Sequence, residues 1–346
     1  MNRAYVWIGM MAGMVLLIIM SCFYYSGRTP GENSVPTAKK QDDYIKWVDF
    51  NVTYEALCEA YQMDVDSYGK EPHLNWIELL SYAAVRGGGN FDRSSLEQMR
   101  ELAGRLQSGE TMKDITKDMK YYSYYHQVYS AVLGGMVGEY QCQTESGDWE
   151  QCYGLKGFLP IAKGFSYSDY DDFGSSRSYG YARPHLGHDM MGLIGTPIIA
   201  VESGYVEVLG WNRYGGWRIG IRSFDKKRYY YYAHLRQNRP YAENLNEGDK
   251  VTAGDVIGYM GHTGYSTEEN VNNIEQVHLH FGLELVFDES QKESDNEIWI
   301  DCYALCRFLS RNQSEVEKDE ETKEWHRVYG RKELAEKKSH DEVSSK

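Results

Sequence analysis

The run Val277-His-Leu-His-Phe-Gly-Leu-Glu-Leu285 constrains this chain more than any other stretch. Its apolar character predicts a strand, and side chains two apart on a strand share a face, so His278 and His280 must point the same way from one sheet. Short segments punctuated by glycine, with few helical periods, surround it at Ile198–Val208, Trp217–Arg222, Arg228–Leu235, Lys250–Met260 and Val277–Val286. Together they predict an all-β domain. Two imidazoles aimed at one spot can bind zinc, or one can bind while the other handles protons. Taken alone, the triplet fits equally well with two satisfied, half-buried sheet histidines.

A second cluster weighs against that bland reading. In Arg183-Pro-His-Leu-Gly-His-Asp189, four extended residues separate His185 from Asp189 by roughly 13 Å, whereas two donors ~2.0–2.1 Å from one zinc lie much closer. The chain must bend between them, and Gly187 is the expected hinge because glycine adopts backbone angles closed to other residues. One carboxylate and two imidazoles, with a fourth position left for water, is the ligand count of a catalytic zinc site; structural zinc usually takes more sulfur. An ordinary loop hydrogen bond between His185 and Asp189 is the alternative taken by itself. Nothing in the chain has the Gly-x-Ser-x-Gly or Cys/His pattern of a nucleophilic hydrolase.

These residues resemble the lysostaphin-type, LytM-like zinc metallopeptidases that cut peptide bonds in bacterial peptidoglycan. The resemblance runs from about Gly180 to Glu284 and includes Arg183-x-His185-x-Gly187-x-Asp189, Gly195-Thr-Pro-Ile-Ile-Ala200, Ser203-Gly-Tyr-Val206 and Tyr232-Ala-His-Leu235. It continues through Gly248-x-x-Val-x-Ala-Gly254, Ile257-Gly-Tyr-x-Gly-x-Thr-Gly264 and His278-Leu-His-Phe281. The resemblance implies zinc (Zn2+) bound by His185, Asp189 and His280, with His234 and His278 as general base and transition-state donor in shared roles. It also implies a partly open, mainly antiparallel β architecture with the site in a groove. The remaining histidines, including His188 beside Asp189, are read as non-ligands.

One departure stands out. The Gly-Thr-Gly turn usually leads within a few residues to the His-x-His strand, but here Tyr265 to Gln276 intervenes and reads as a polar surface loop beside the site, which either lines a substrate cleft or is an indifferent excursion. Strand parity along Arg228-Tyr-Tyr-Tyr-Tyr-Ala-His234 places Tyr230 and Tyr232 on the face of His234 and turns Tyr229 and Tyr231 away. Tyr232 is then a candidate contact in the site, with sheet packing the commoner use of such a run.

Outside the β region, Ala4 to Tyr25 carries no charge and is long enough to cross ~30 Å of hydrocarbon, and Arg3 favours an internal N-terminus. A cleaved signal peptide, or lipidation at Cys22, are the alternatives, and all three readings export the chain. The expected class is α+β and multidomain. It comprises a transmembrane anchor or signal segment (1–26), a flexible linker (27–43), a helical domain of unassigned role (44–140), a connecting segment (141–179), the β metallopeptidase domain (180–312) and a charged, disordered tail (313–346). Within the helical part, Leu74–Arg86 is periodic and stops at Gly87-Gly-Gly89, Ser94-Ser-Leu-Glu97 reads as a capping box, and Lys120–Val137 carries an apolar stripe through Tyr129 and Leu133. Cys142 and Cys152 flank a turn and are expected to staple a hairpin, while Cys302, Cys306 and Cys58 read as apolar packing.

With 51 acidic against 37 basic residues the formal charge is −14, which disfavours nucleic acid, since that partner requires a basic face. The expected activity is therefore that of a membrane-anchored extracytoplasmic zinc endopeptidase acting on peptidoglycan, with cell-wall complex partners met through the helical domain. The alternative is a silent peptidoglycan-binding scaffold of a division or sporulation complex. A sugar-phosphotransferase or lipoyl-like carrier, suggested by Val251-x-Ala-Gly-x-Val-Ile-Gly258, fits neither export nor His278-Leu-His280.

Overall fold

Four of the helices that open the fold take their starts from side-chain caps. The computed structural model describes residues 44–179, 181–292 and 294–334. Helix α1 (Tyr54–Ser67) begins where Thr53 accepts the Ala56 N–H, and α2 (Trp76–Gly87) begins where Asn75 accepts from Ile77 and Glu78. The glycine stop is as read: Gly88 caps α2 in the left-handed conformation at φ 62°. The capping box of α3 (Arg93–Gln107) differs from the expectation, because Asp92 rather than Ser94 takes the orphan N–H groups and Ser95 answers it. The short α4 (Met112–Thr116) and α5 (Tyr122–Leu133) follow, and α5 buries Tyr129, Val132 and Leu133.

The apolar faces of these helices do not close on each other alone. Leu57, Leu80, Met99 and Tyr129 belong to one continuous core with Ile219, Ile221, Leu279 and Leu283 of the β region, and the chain from Ile45 onward forms one compact unit. The expected separate helical domain at 44–140 is thus corrected. Its amphipathic helices are too few to bury their stripes without the sheet. A buried ion pair marks the seam. Arg228, 1% exposed, donates from Nε to Glu202 at 2.7 Å and from Nη1 to the Ala131 carbonyl of α5 at 2.6 Å, while Tyr230 donates to the same carboxylate at 2.6 Å.

The connecting segment holds a hairpin, β1 (Val137–Gln143) and β2 (Trp149–Leu155), closed by the Cys142–Cys152 disulfide. Cys58, Cys302 and Cys306 carry free thiols. After β3 (Ser168–Asp169), the hairpin β4 (Ser176–Tyr179) and β5 (Tyr181–Pro184) leads into β6 (His188–Met191). Strand β7 (Pro197–Ile199) pairs with β12 (Val256–Tyr259) in a small sheet of its own. The main sheet adds β8 (Gly204–Asn212), β9 (Gly216–Ser223), β10 (Arg228–Ala233), β11 (Lys250–Val251) and β13 (His278–Leu285). Its order is β11-β8-β9-β10-β13-β6-β3, antiparallel throughout, with β14 (Ile298–Ile300) pairing on β13 ahead of α6 (Tyr303–Leu309). On β13, Leu279, Phe281, Leu283 and Leu285 are fully buried on the core side, and the two histidines look the other way.

The expected disorder from 313 is also corrected for the described part of the tail. Strands β15 (Val316–Lys318) and β16 (Trp325–Arg327) pair with each other, and β17 (Arg331–Glu333) extends the β1–β2 hairpin. Composition misleads here because the charges are paired. Glu324, 2% exposed, accepts from Tyr259 at 2.5 Å and pairs with Arg239, and Arg331 lies 3.7 Å over the Tyr140 ring. The expected anchor at 1–26 and the linker at 27–43 lie outside the described residues. Among the described residues no helix is long and apolar enough to cross a membrane.

Candidate metal centre

The pairing of β13 with β6 builds half of the site. His280 stands opposite Asp189 in register, so the imidazole and carboxylate emerge side by side from neighbouring strands. His185 enters from the turn between β5 and β6. His185 Nε2 lies 3.0 Å from Asp189 Oδ1 and 2.9 Å from His280 Nδ1, and the latter lies 2.9 Å from the same carboxylate oxygen. These three groups are the cluster among the described residues able to hold a metal ion.

Gly187 serves the site for a different reason than its expected backbone freedom. It is absent from the glycines with positive φ, and a Cβ there would stand 2.5 Å from His280 Cε1 and 2.6 Å from its Nε2. The position is glycine because the His280 ring lies against it.

Sequence reading missed a supporting pair, Asp172 and Arg177. His185 Nδ1 lies 3.3 Å from the Asp172 main-chain oxygen and 3.2 Å from its Oδ1. The angle suits the carbonyl, which accepts the N–H, and the buried carboxylate lies alongside as a charge partner. This arrangement fixes the tautomer, leaving a bare lone pair on Nε2. Arg177 Nη2 pairs with the Asp172 carboxylate and donates to Asp189 Oδ2 at 3.1 Å, which occupies one oxygen of Asp189 and leaves Oδ1 facing the imidazoles. No motif spacing marks either residue.

His234 reaches the site through a break in parity. Strand β10 ends at Ala233, and His234 has φ 61°, a left-handed conformation that swings its side chain to the face its position in an unbroken strand would deny it. Its ring centroid is 4.7 Å from that of His278 and 5.9 Å from that of His280. The tyrosine reading is accordingly reversed. Tyr232 is buried in the core and donates from its hydroxyl side to nothing in the site, its oxygen accepting the Val201 N–H at 3.0 Å. Tyr231 instead packs edge-on to His280 at 5.9 Å.

His234 Nδ1 donates to the Thr263 carbonyl at 2.9 Å and His278 Nδ1 to the Gln276 carbonyl at 2.8 Å, so both rings turn Nε2 inward as an acceptor. Burial, reinforced by the neighbouring His278 and His280, pushes His234 well below the usual histidine range and keeps it neutral. Burial also lowers His280, against the pull of Asp189. For Asp189, burial alone would raise the carboxyl, but the imidazoles of His185 and His280 set against it hold it far below the ordinary carboxylate range. All five residues line one cavity of about 70 Å³, with Arg177, Tyr231 and Tyr265 at its walls. His188 lies on the opposite face of β6, 2.9 Å from Asp169, outside the cluster. The inserted loop contributes to the wall: Asn273 donates to the Tyr265 carbonyl at 2.8 Å, and the Tyr265 ring stands edge-on to His234 at 6.1 Å.

The donor set suits zinc. Two neutral imidazole nitrogens and a carboxylate oxygen, 2.9–3.0 Å apart, approach the roughly 3.3 Å between two ligands held ~2.0–2.1 Å from one tetrahedral ion. Residues 183–294 match the profile of peptidase family M23. This part of the chain is an M23 peptidase domain. The resemblance read from the motifs therefore stands, and the zinc dependence of M23 peptidases agrees with the donor set. The M23 domain of this chain resembles the L-Ala--D-Glu endopeptidase of Bacillus subtilis, 38% identical over 125 residues, covering 36% of each chain. It also resembles lysostaphin of Staphylococcus simulans, 40% identical over 98 residues, covering 28% of this chain and 17% of that protein. The chain thus spans little more than a third of those relatives at most. The crystal structure of a lytM protein of Ruminococcus gnavus superposes with a TM-score of 0.50 at 26% identity, covering 77% of this chain and 91% of that one. That coverage extends the likeness beyond the M23 domain into the rest of the chain.

Proposed function

We propose that this chain is an extracytoplasmic zinc endopeptidase that hydrolyses a peptide bond of bacterial peptidoglycan, with His185, Asp189 and His280 as metal ligands and His234 and His278 as proton-transfer groups. The observation that carries this reading is the convergence of three lone-pair donors and two inward-facing Nε2 atoms on one small cavity. A closed structural site would have no use for two further imidazoles at its edge.

When bound, zinc supplies an acidified water and a positive charge opposite the oxyanion that develops on attack. The chain does the rest. Asp172 and Arg177 hold His185 and Asp189 in the orientation that presents one atom of each to the ion. His234 and His278 carry the same tautomer, each anchored through Nδ1–H, so the pair shares the role of proton acceptor from the attacking water and proton donor to the leaving amine. The low basicity of His234 suits it to the neutral resting form. Because both groups are present and oriented, the silent-scaffold reading has no observation in its favour.

The peptidoglycan substrate follows from the activities named for the relatives, one an L-Ala--D-Glu endopeptidase and the others lysostaphins. Anchoring by residues 1–26 rests on the uncharged apolar run from Ala4 to Tyr25. The Cys142–Cys152 disulfide supports an oxidising compartment outside the cytoplasm. Release of new amine termini from peptidoglycan by the full-length chain, with and without a chelator and with His278→Ala, tests the reading. We expect release that the chelator stops, that added zinc restores and that the substitution abolishes. Absence of release from walls of several cross-link types, despite one zinc per chain, refutes it.

A further inference from the structure

Beside the metal centre lies a second cavity, a cleft of about 830 Å³ that shares His280, Tyr231, Tyr214 and Arg183 with it. Two glycines make the space. A Cβ at Gly220 would stand 2.1 Å from the Tyr229 hydroxyl, and one at Gly282 would stand 2.6 Å from the Trp299 ring, so both strands lie bare where these aromatic side chains cross them.

The charges in this cleft are sorted along its length. Gly220 pairs with Tyr231, and Arg218, two residues away on the same face of β9, stands at the end nearest His280. Arg183 spans the boundary between the two cavities. Both guanidinium groups act on the Tyr231 hydroxyl, which also accepts the Asn212 amide N–H at 3.1 Å. The acidic side chains lie at the far end: Glu284 is four residues along β13 from His280, roughly 13 Å at about 3.3 Å per residue, and Glu297 accepts the Trp299 indole N–H at 2.8 Å. Lys292, also at that end, is paired with Glu207.

The cations near the metal centre differ in what they already hold. Arg183 shares with Arg218 a buried Nε that has no hydrogen-bond partner, but it donates through Nη2 to the Tyr265 hydroxyl at 3.3 Å and lies over the Tyr214 ring. Arg218 has no hydrogen-bond or carboxylate partner through its side chain among the described residues, and its Nε is buried without one. A buried guanidinium N–H left unmade is costly unless something that binds there completes it. The planar fork of arginine matches a carboxylate.

We propose that this cleft is a substrate subsite that selects a peptide bearing a free carboxylate beside the scissile bond, with Arg218 as the residue that reads it. The proposal rests on the endopeptidase reading above and narrows it to acidic peptides. A backbone of glycines offers Arg218 only neutral carbonyl oxygens, whereas an acidic residue within one position of the cut bond offers a charged carboxylate that matches its fork.

The test uses the zinc-loaded full-length chain and soluble wall peptides presented in two forms, with their carboxylates free and with the same carboxylates converted to carboxamides. The wild type is expected to cleave the free form with kcat/KM at least tenfold above the amidated form. Arg218→Gln should bring that ratio close to one, and Arg218→Lys should restore part of it. A wild-type ratio near one overturns the proposal while leaving the endopeptidase reading intact, and so does an unchanged ratio in Arg218→Gln. Cleavage of neither form by the wild type overturns both. The amidation comparison needs no substitution, so it stands even where a variant fails to fold.

Discussion

Gly187→Ala is the smallest change that should separate zinc binding from folding. The added methyl would lie 2.5 Å from His280 Cε1, 2.6 Å from its Nε2 and 2.8 Å from the Phe281 carbonyl oxygen, where ordinary contact begins at 3.4 Å. Something must retreat by about 1 Å. The carbonyl belongs to β13 at the point where Phe281 pairs with His188, so its retreat would open the ladder that positions Asp189 opposite His280. The imidazole is the softer partner, and moving it carries Nδ1 away from the Asp189 and His185 atoms it now meets at 2.9 Å. A displacement of about 1 Å is half of a ~2.0–2.1 Å zinc–nitrogen bond. Disturbing a ligand's support typically weakens metal binding by about 10–100-fold, and overpacking costs about 1–3 kcal/mol of stability. Competition against a chromophoric chelator measures the zinc Kd, and thermal unfolding of the metal-free chain measures the second cost. A variant that is destabilised but binds zinc with unchanged affinity would refute the steric account and return Gly187 to the role of a backbone hinge.

Four further outcomes follow from the same geometry. Asp172→Ala removes the carboxylate that holds Arg177 and flanks His185 but leaves the main-chain acceptor, so zinc affinity should fall by roughly tenfold, the low end for a supporting group; an unchanged Kd refutes the support. Glu202→Ala strands Arg228 and the Tyr230 hydroxyl inside the core and should cost about 3–5 kcal/mol in denaturant unfolding, with less than about 1 kcal/mol refuting the buried pairing. His234 and His280 are held neutral when folded but protonate when unfolded below the ordinary histidine value of about 6.5, so the metal-free chain should lose stability as pH falls from 7 to 5, by about 1.4 kcal/mol per unit for each group below that value; a flat melting temperature over that window contradicts it. A fragment starting at residue 180 lacks the helices that complete the core and the Ala131 carbonyl that satisfies Arg228, and should show no cooperative unfolding by circular dichroism; a sharp transition would mean the β region closes its own core.

The site was legible wherever chemistry and strand period coincided. His278 and His280 announce a shared face because alternation in a strand is a local property, and Asp189 follows because its strand pairs with theirs. What could not be read depends on side chains that meet only in three dimensions. Asp172 stands thirteen residues before His185 with nothing in its spacing to mark it. The helices looked like a domain because periodicity shows that a face is apolar without showing what covers it. The tail looked disordered because composition counts charges but not their partners, and Glu324 and Arg331 are buried with theirs.

The misread tyrosines show how much one backbone angle can decide. An unbroken strand would turn His234 with Tyr230 and Tyr232 into the core, where an imidazole without a partner would be costly. The left-handed φ of 61° reverses that, at a strain of about 1–3 kcal/mol for a residue with a Cβ. Local hydrogen bonds hold it there: the His234 N–H donates to Gly215 at 2.7 Å, its carbonyl accepts from Gly261 at 3.0 Å, and its Nδ1 donates to Thr263 at 2.9 Å. The two partners on the C-terminal side, Gly261 and Thr263, lie in the glycine-punctuated turn that precedes the inserted loop. That turn therefore has a function that its glycines alone would not suggest. It fixes a strained histidine against His278, whose own ring is anchored by the carbonyl of Gln276 at the end of the insertion.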